Sequence, residues 1–222
     1  MYKLLNYPID LENPTIPGNP ATKFERVVSM EEGAIYNTSY ISLCTHNDSH
    51  VDAPGHFNKD GATVDMIPPE EFFFKNVVVI DASKRSNLEI TIDDLSDLKE
   101  EAEFLLLHSG HSKHWKTPKY IEKSLQPWLS EDAANYLLHH EYIRAIGLDF
   151  MCIDKLDHIE QGLAPVHQMF CGINTQNKVI LIYENLNLKP VINDQVAMIY
   201  AFPLQLVNID GSPVTVVAEV KE

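Results

Sequence analysis

The chain has 222 residues, with 17 Lys+Arg against 32 Asp+Glu and a formal net charge of −15. That length serves a single domain with a real hydrophobic core, and 45% hydrophobic with 22% charged residues excludes a disordered chain. The acid excess argues against nucleic-acid or anionic-membrane partners, and no apolar run approaches the roughly 20 residues of a membrane-spanning helix.

In chain order, Met1 to Pro8 carries no secretory apolar region, which sets the expectation of a cytoplasmic protein. Pro8 to Pro20 reads as irregular extended chain, because each proline fixes φ and removes a donor. Phe24–Met30 and Ile35–Cys44 are β-branched and aromatic, with Glu31-Glu32-Gly33 as the turn between two strands. Asn76–Ala82 and Glu103–Ser109 are nearly continuous apolar runs, the mark of buried strands, and Thr91–Ala102 between them reads as a short helix. Ser130 is placed to cap a helix running to about His140, with Glu131 and Asp132 in its first turn. Strands are expected at Ile143–Phe150, Lys178–Tyr183, Gln195–Leu206 and Val214–Val220, with a short helix near His167. No linker or repeat divides the chain, so residues 1–222 are expected to form one α/β domain with a mixed central sheet and flanking helices. The cysteines, Cys44, Cys152 and Cys171, are odd in number and form no CxxC pair, which argues against a disulfide framework and against a thiolate zinc site.

The histidines are the compositional signal. There are ten, and His46, His50 and His56 fall within eleven residues that also hold Asp48 and Asp52. Pro54 excludes a continuous helix here. In an extended chain the side chains alternate, so His46, Asp48, His50 and Asp52 would project from one face, and Pro54-Gly55 would turn His56 back toward them. Imidazoles and carboxylates converging in this way suit Zn²⁺ or Mn²⁺, and a metal removes the several kcal/mol that burying such carboxylates unpaired would cost.

The string His46-Asn47-Asp48-Ser49-His50-Val51-Asp52-Ala53-Pro54-Gly55-His56 resembles the H-x-G-T-H-x-D-x-P-x-H signature of the cyclase family, which includes bacterial metal-dependent kynurenine formamidases and isatin hydrolases. Further landmarks follow in family order: Asp10-Leu11, Pro17-Gly18, Leu106–Trp115, Gly147-Leu148-Asp149, the APVHQMF segment with His167, and Glu184-Asn185-Leu186. The resemblance implies a swivelling β/β/α fold and a site for one or two ions, zinc foremost and manganese as the alternative. His46, His50 and Asp52 would bind the first ion; Asp52 would also reach the second, which His167 and Glu184 complete. His56 would be the proton-transfer residue. A homodimer or higher homo-oligomer is implied as well, and the apolar Ala197–Leu206 segment suits a core or an interface equally.

The implied chemistry is hydrolysis of a C–N bond in a small amide, formamide or lactam, as in the arylformamidase step of tryptophan catabolism to kynurenine. A bound ion lowers the pKa of water toward neutrality, and His56 titrates in the right range to move the proton. Two departures from the family signature matter. Asp48-Ser49 replaces Gly-Thr, which makes Asp48 a loop residue bonding local backbone, an extra ligand, or a partner for an imidazole N–H, the last being preferred. Ile16 stands where the formamidases place an aromatic residue, so His108, His111 and Trp115 become the candidates to line the pocket. Lactam opening, a cyclisation or dehydration on the same metal site, a non-catalytic metal-binding homologue and a purely structural domain are the competing readings.

Overall fold

The computed structural model describes residues 1–175 and 178–221. Its elements are β1 (Tyr2–Leu4), β2 (Lys23–Val28), β3 (Thr38–Ser42), β4 (His50–Asp52), β5 (Phe73–Phe74), β6 (Val77–Asp81), β7 (Glu89–Ile90), β8 (Phe104–His108), β9 (Trp128–Leu129), α1 (Glu131–His139), β10 (Ala145–Leu148), α2 (Leu156–Glu160), α3 (Pro165–Phe170), β11 (Leu181–Glu184), β12 (Val196–Pro203) and β13 (Gly211–Val220). One mixed sheet organises them in the order β5-β12-β13-β4-β11-β10-β8-β6, with β1 added against β13. β6, β8, β10 and β11 are mutually parallel, while β4 runs antiparallel to β11 on one side and β13 on the other. This is the α/β architecture with a mixed sheet expected from the sequence.

The buried strands obey the period of two. Along β8, Phe104 and Leu106 enter one core while Leu105 and Leu107 enter the other. On β11, Leu181 and Tyr183 face the first core and Ile182 the second. Both faces are covered, which is why these strands read as unbroken apolar runs. The antiparallel strands β12 and β13 fold over the first face with Ile199, Ala201, Val216 and Ala218, so the sheet curls nearly closed; the Ala197–Leu206 segment gives Ile199 and Ala201 to this core and leaves Phe202 and Leu204 exposed. Helices α1 and α3 cover the second face with Ala133, Leu137, Val166 and Phe170. The Ser130 hydroxyl accepts from the Ala133 N–H at 3.1 Å, a cap that contributes about 1 kcal/mol.

Thr91–Ala102 is not the expected helix. It is a single 3₁₀ turn, Ile92–Leu95, closed by a capping box between Thr91 and Asp94, after which the chain turns away. The segment is dense in Asp and Ser, which bond the backbone in non-helical forms, and it ends on Glu100-Glu101, where the helix dipole disfavours negative charge. The β2–β3 hairpin pairs outside the main sheet and exposes Phe24, Val27, Tyr40 and Ile41.

Candidate metal centre

The parallel strands end at one edge of the sheet, the usual place for a ligand crevice in α/β folds. The antiparallel strand β4 begins at that same edge, with His50 in register with Glu184 of β11 and Asp52 in register with Gly211 of β13. Because Val51 points into the first core with Tyr183, His50, Asp52 and Glu184 share the opposite face. Helix α3 packs on that face through Val166 and Phe170 and thereby delivers His167. Four ionisable groups from three distant segments therefore meet in the interior: His50, Asp52, His167 and Glu184 are each at most 3% exposed.

The distances describe a site built for a cation. His50 Nε2 lies 3.3 Å from Asp52 Oδ1 and 3.7 Å from Glu184 Oε2, and His167 Nε2 lies 3.6 Å from both Asp52 Oδ2 and Glu184 Oε1. His46 Nδ1 is 2.8 Å from Asp52 Oδ1 and its Nε2 is 3.0 Å from Asp210 Oδ2, which also takes His56 Nδ1 at 2.9 Å. A neutral imidazole has one N–H, so one of the two His46–carboxylate contacts sets acceptor against acceptor, which a cation between them would relieve. Two buried atoms at the centre, His50 Nε2 and Asp52 Oδ2, have no hydrogen-bond partner. Orphaned buried polar atoms are rare in folded proteins, and a divalent ion is the partner that this donor set fits.

Outer contacts fix which ring nitrogen faces inward. His50 Nδ1 meets the Asp48 carbonyl at 3.0 Å, leaving Nε2 for the centre. Asp154 takes His167 Nδ1 at 2.7 Å and the first backbone N–H groups of α3, from Val166 at 3.0 Å and His167 at 2.9 Å. Glu184 Oε1 accepts the Ile153 N–H at 2.8 Å. Such partners orient metal-binding rings and raise their basicity.

Burial opposes charge at every one of these groups, and their neighbours decide the outcome. Burial pulls His50 down, but Asp52 and Glu184 overcome it and raise its pKa to about 9. His167 likewise ends well above its ordinary value, through Asp154, Asp52 and Glu184. Asp52 is held well below the carboxylate range despite burial, by His50, His167 and His46, whereas burial raises Glu184. The field of the cluster demands positive charge at its centre. His56 differs: burial outweighs Asp52 and Asp210 and lowers it, so its ring is neutral near pH 7.

All six residues expected at the site, His46, His50, Asp52, His56, His167 and Glu184, come together. Asp48 does not join them with its carboxylate. The strand covers only His50–Asp52, so the alternation stops short; Asp48 adopts φ 56 and its side chain accepts from Asn13. Its carbonyl, not its carboxyl, holds the imidazole. Ile16 and Trp115 pack with Tyr120, Met151 and Cys152 in a small apolar cluster, and Trp115 also stacks on Tyr7 at 4.0 Å. His111 is buried in loop contacts, meeting the Tyr120 carbonyl at 3.0 Å. His108 ends β8 with the parity of Phe104 and Leu106, so it faces the other side of the sheet, pairs with Asp81 at 2.9 Å and lines a separate cleft of about 560 Å³. The resemblance also implies an insertion around Thr175-Gln176-Asn177, between His167 and Glu184; Gln176 and Asn177 lie outside the described residues.

Two participants escape sequence reasoning. Asp154 lies in the loop after β10 and Asp210 immediately before β13, each far along the chain from the histidine motif. The β4–β13 pairing brings Asp210 in, and it demands Gly211, because a Cβ there would run into the His46 ring. The dipeptide Asp210-Gly211 reads as an ordinary turn, so no local signal marks it.

The "Putative cyclase" family model matches residues 5–155. Kynurenine formamidase of Bacillus cereus is 31% identical over 213 residues, covering 96% of this chain and 94% of that protein. The Bacillus anthracis kynurenine formamidase is likewise 31% identical, with the same coverage of 96% and 94%. Among solved structures, isatin hydrolase A from Labrenzia aggregata, bound to benzyl benzoate, aligns with a TM-score of 0.84 at 25% identity over 100% of this chain and 94% of that one. A "predicted metal-dependent hydrolase" from Bacillus stearothermophilus aligns with a TM-score of 0.75 at 26% identity, over 98% of this chain and 97% of that one.

Proposed function

The chain belongs to the cyclase family, and on that premise we propose that it is a metal-dependent hydrolase cleaving a C–N bond of a small formamide or amide, an aryl formamide first. The observation that carries this reading is the buried His50–Asp52–His167–Glu184 cluster with its unpartnered His50 Nε2 and Asp52 Oδ2. His46, His50 and Asp52 would hold one divalent ion; Asp52, His167 and Glu184 would hold a second. Zinc is the preferred ion, with manganese as the alternative. A bound divalent ion acidifies water and polarises a carbonyl.

The chain's own residues supply the rest. His56 sits at the mouth of the cluster, its ring stacked on His46 at 3.9 Å between centroids. Its Nδ1 donates to Asp210 Oδ2, which fixes the ring and leaves Nε2 to take a proton from the attacking water. The same Nε2 then returns that proton to the leaving nitrogen, and burial, which lowers the His56 pKa, favours the unprotonated ring that a base has to offer. Ile16 and Trp115, partly buried, pack on Tyr120, Met151 and Cys152, so an aryl group on this side would meet Ile16 and Trp115. The TM-score of 0.84 to an isatin hydrolase supports a second reading on the same site, opening of an aryl lactam. The exposed apolar residues of the β2–β3 hairpin suit a second copy of this chain, and three free thiols accord with a reducing, cytoplasmic setting.

The test loads the metal-free protein with Zn²⁺ or Mn²⁺ and assays N-formylkynurenine and isatin. Turnover of either is expected. His56→Ala should keep its metal and lose about 10²- to 10⁴-fold in kcat. A variant that instead loses its metal makes His56 a ligand. A loaded protein inactive on formamides, lactams and amides alike contradicts the hydrolase reading.

A further inference from the structure

One buried nucleophilic group has no part in the reaction above. Cys152 lies in the loop that follows β10, and the next two residues of that loop already serve the centre: Ile153 donates its N–H to Glu184, and Asp154 orients His167. The Cys152 Sγ, a His167 ring nitrogen and a Glu184 oxygen all lie within 4.8 Å of one another, and all three residues are buried. A second observation points the same way. Asp52 Oδ2, 3.6 Å from His167 Nε2, is one of the buried atoms without a partner, so the space these groups face is short of a cation. In a tetrahedral shell with Zn–S of about 2.3 Å and Zn–N of about 2.0 Å, neighbouring donors sit roughly 3.5 Å apart, so a contraction of about 1 Å would close the set.

We propose that Cys152 is a thiolate ligand of the second metal position, which is then a Cys152–His167–Glu184 site closed by Asp52. The inference rests on the metal-dependent reading above and deepens it. As the sulfur–metal bond forms, the S–H proton leaves to solvent, and no oxidant or reductant is involved. The two positions then differ in character. The first is all nitrogen and oxygen, whereas the second, with a soft sulfur donor, favours zinc-like ions over manganese. The absence of a CxxC pair excludes a site made of cysteines alone, and it leaves room for a single thiolate among His and Glu.

Cobalt reads this directly. Metal-free protein titrated with Co²⁺ should develop visible d–d bands together with a near-ultraviolet sulfur-to-cobalt charge-transfer band. Cys152→Ser should lose the charge-transfer band, while Cys44→Ser and Cys171→Ser keep it. In the unmutated chain, zinc should protect Cys152 from alkylation, mapped on its peptide by mass spectrometry, and manganese should protect it far less. Cobalt bound with d–d bands but no charge-transfer band overturns the thiolate and leaves the metal-dependent reading standing. A charge-transfer band that survives in Cys152→Ser, or equal protection by zinc and manganese, also overturns it. Failure to bind cobalt at all overturns both.

Discussion

Asp48 shows how a single backbone angle serves the centre. At the place of the signature's glycine, Asp48 takes a left-handed φ of 56, which turns its carbonyl toward His50 Nδ1. Asp is among the few non-glycine residues that visit this region readily, so the departure from the signature keeps the geometry. The carboxylate is spent elsewhere, on Asn13. Asp48→Gly should therefore hold the unfolding free energy within about 1 kcal/mol, the value of one lost hydrogen bond. Asp48→Val places a β-branched side chain at positive φ and should lose a further 1–3 kcal/mol or so, measured by urea unfolding of the metal-free protein. Equal stabilities for the two variants would contradict the backbone argument.

At the scale of elements, the sequence is legible wherever a local pattern carries the information. The apolar runs that become β6, β8 and β10 announce themselves by being buried on both faces, and Ser130 announces α1 through its cap. The histidine motif and its family resemblance mark both ends of the ligand set. Three features resist such reading for physical reasons. The Thr91–Ala102 segment has apolar positions at helical spacing but too many backbone-bonding side chains to sustain a helix. His108 looks like a pocket residue beside Ser109 and His111, yet strand parity turns it to the far face of the sheet. Asp154 and Asp210 enter the centre only through tertiary contacts, the packing of α3 against the loop after β10 and the β4–β13 pairing, which no local spacing encodes.

For the whole molecule, the centre couples folding to pH and to metal. In the metal-free folded chain His50 keeps its proton up to about pH 9, against 6.5 for an unperturbed ring. The folded state thus binds more protons than the unfolded one between these values, and stability falls as pH rises through that window. Below 6.5 the His50 contribution is complete. His167, raised in the same direction, adds to the effect. The thermal midpoint of metal-free protein should accordingly fall between pH 6.5 and 9, and a bound divalent ion, which replaces those protons, should flatten the dependence. A metal-free midpoint that is constant or rises across that window would contradict the electrostatic picture. Of the −15 net charge, Asp52, Asp154, Glu184 and Asp210 have a task at the centre.

Elemental analysis tests most directly whether His50, Asp52, His167 and Glu184 hold metal. Protein purified without chelator, and its His50→Ala variant, should be assayed by plasma mass spectrometry beside circular dichroism to confirm folding. At least one zinc or manganese ion per native chain is expected, with a marked loss in the folded variant. A native chain that carries no divalent metal, and that takes none up from excess Zn²⁺ or Mn²⁺, would contradict these ligand roles.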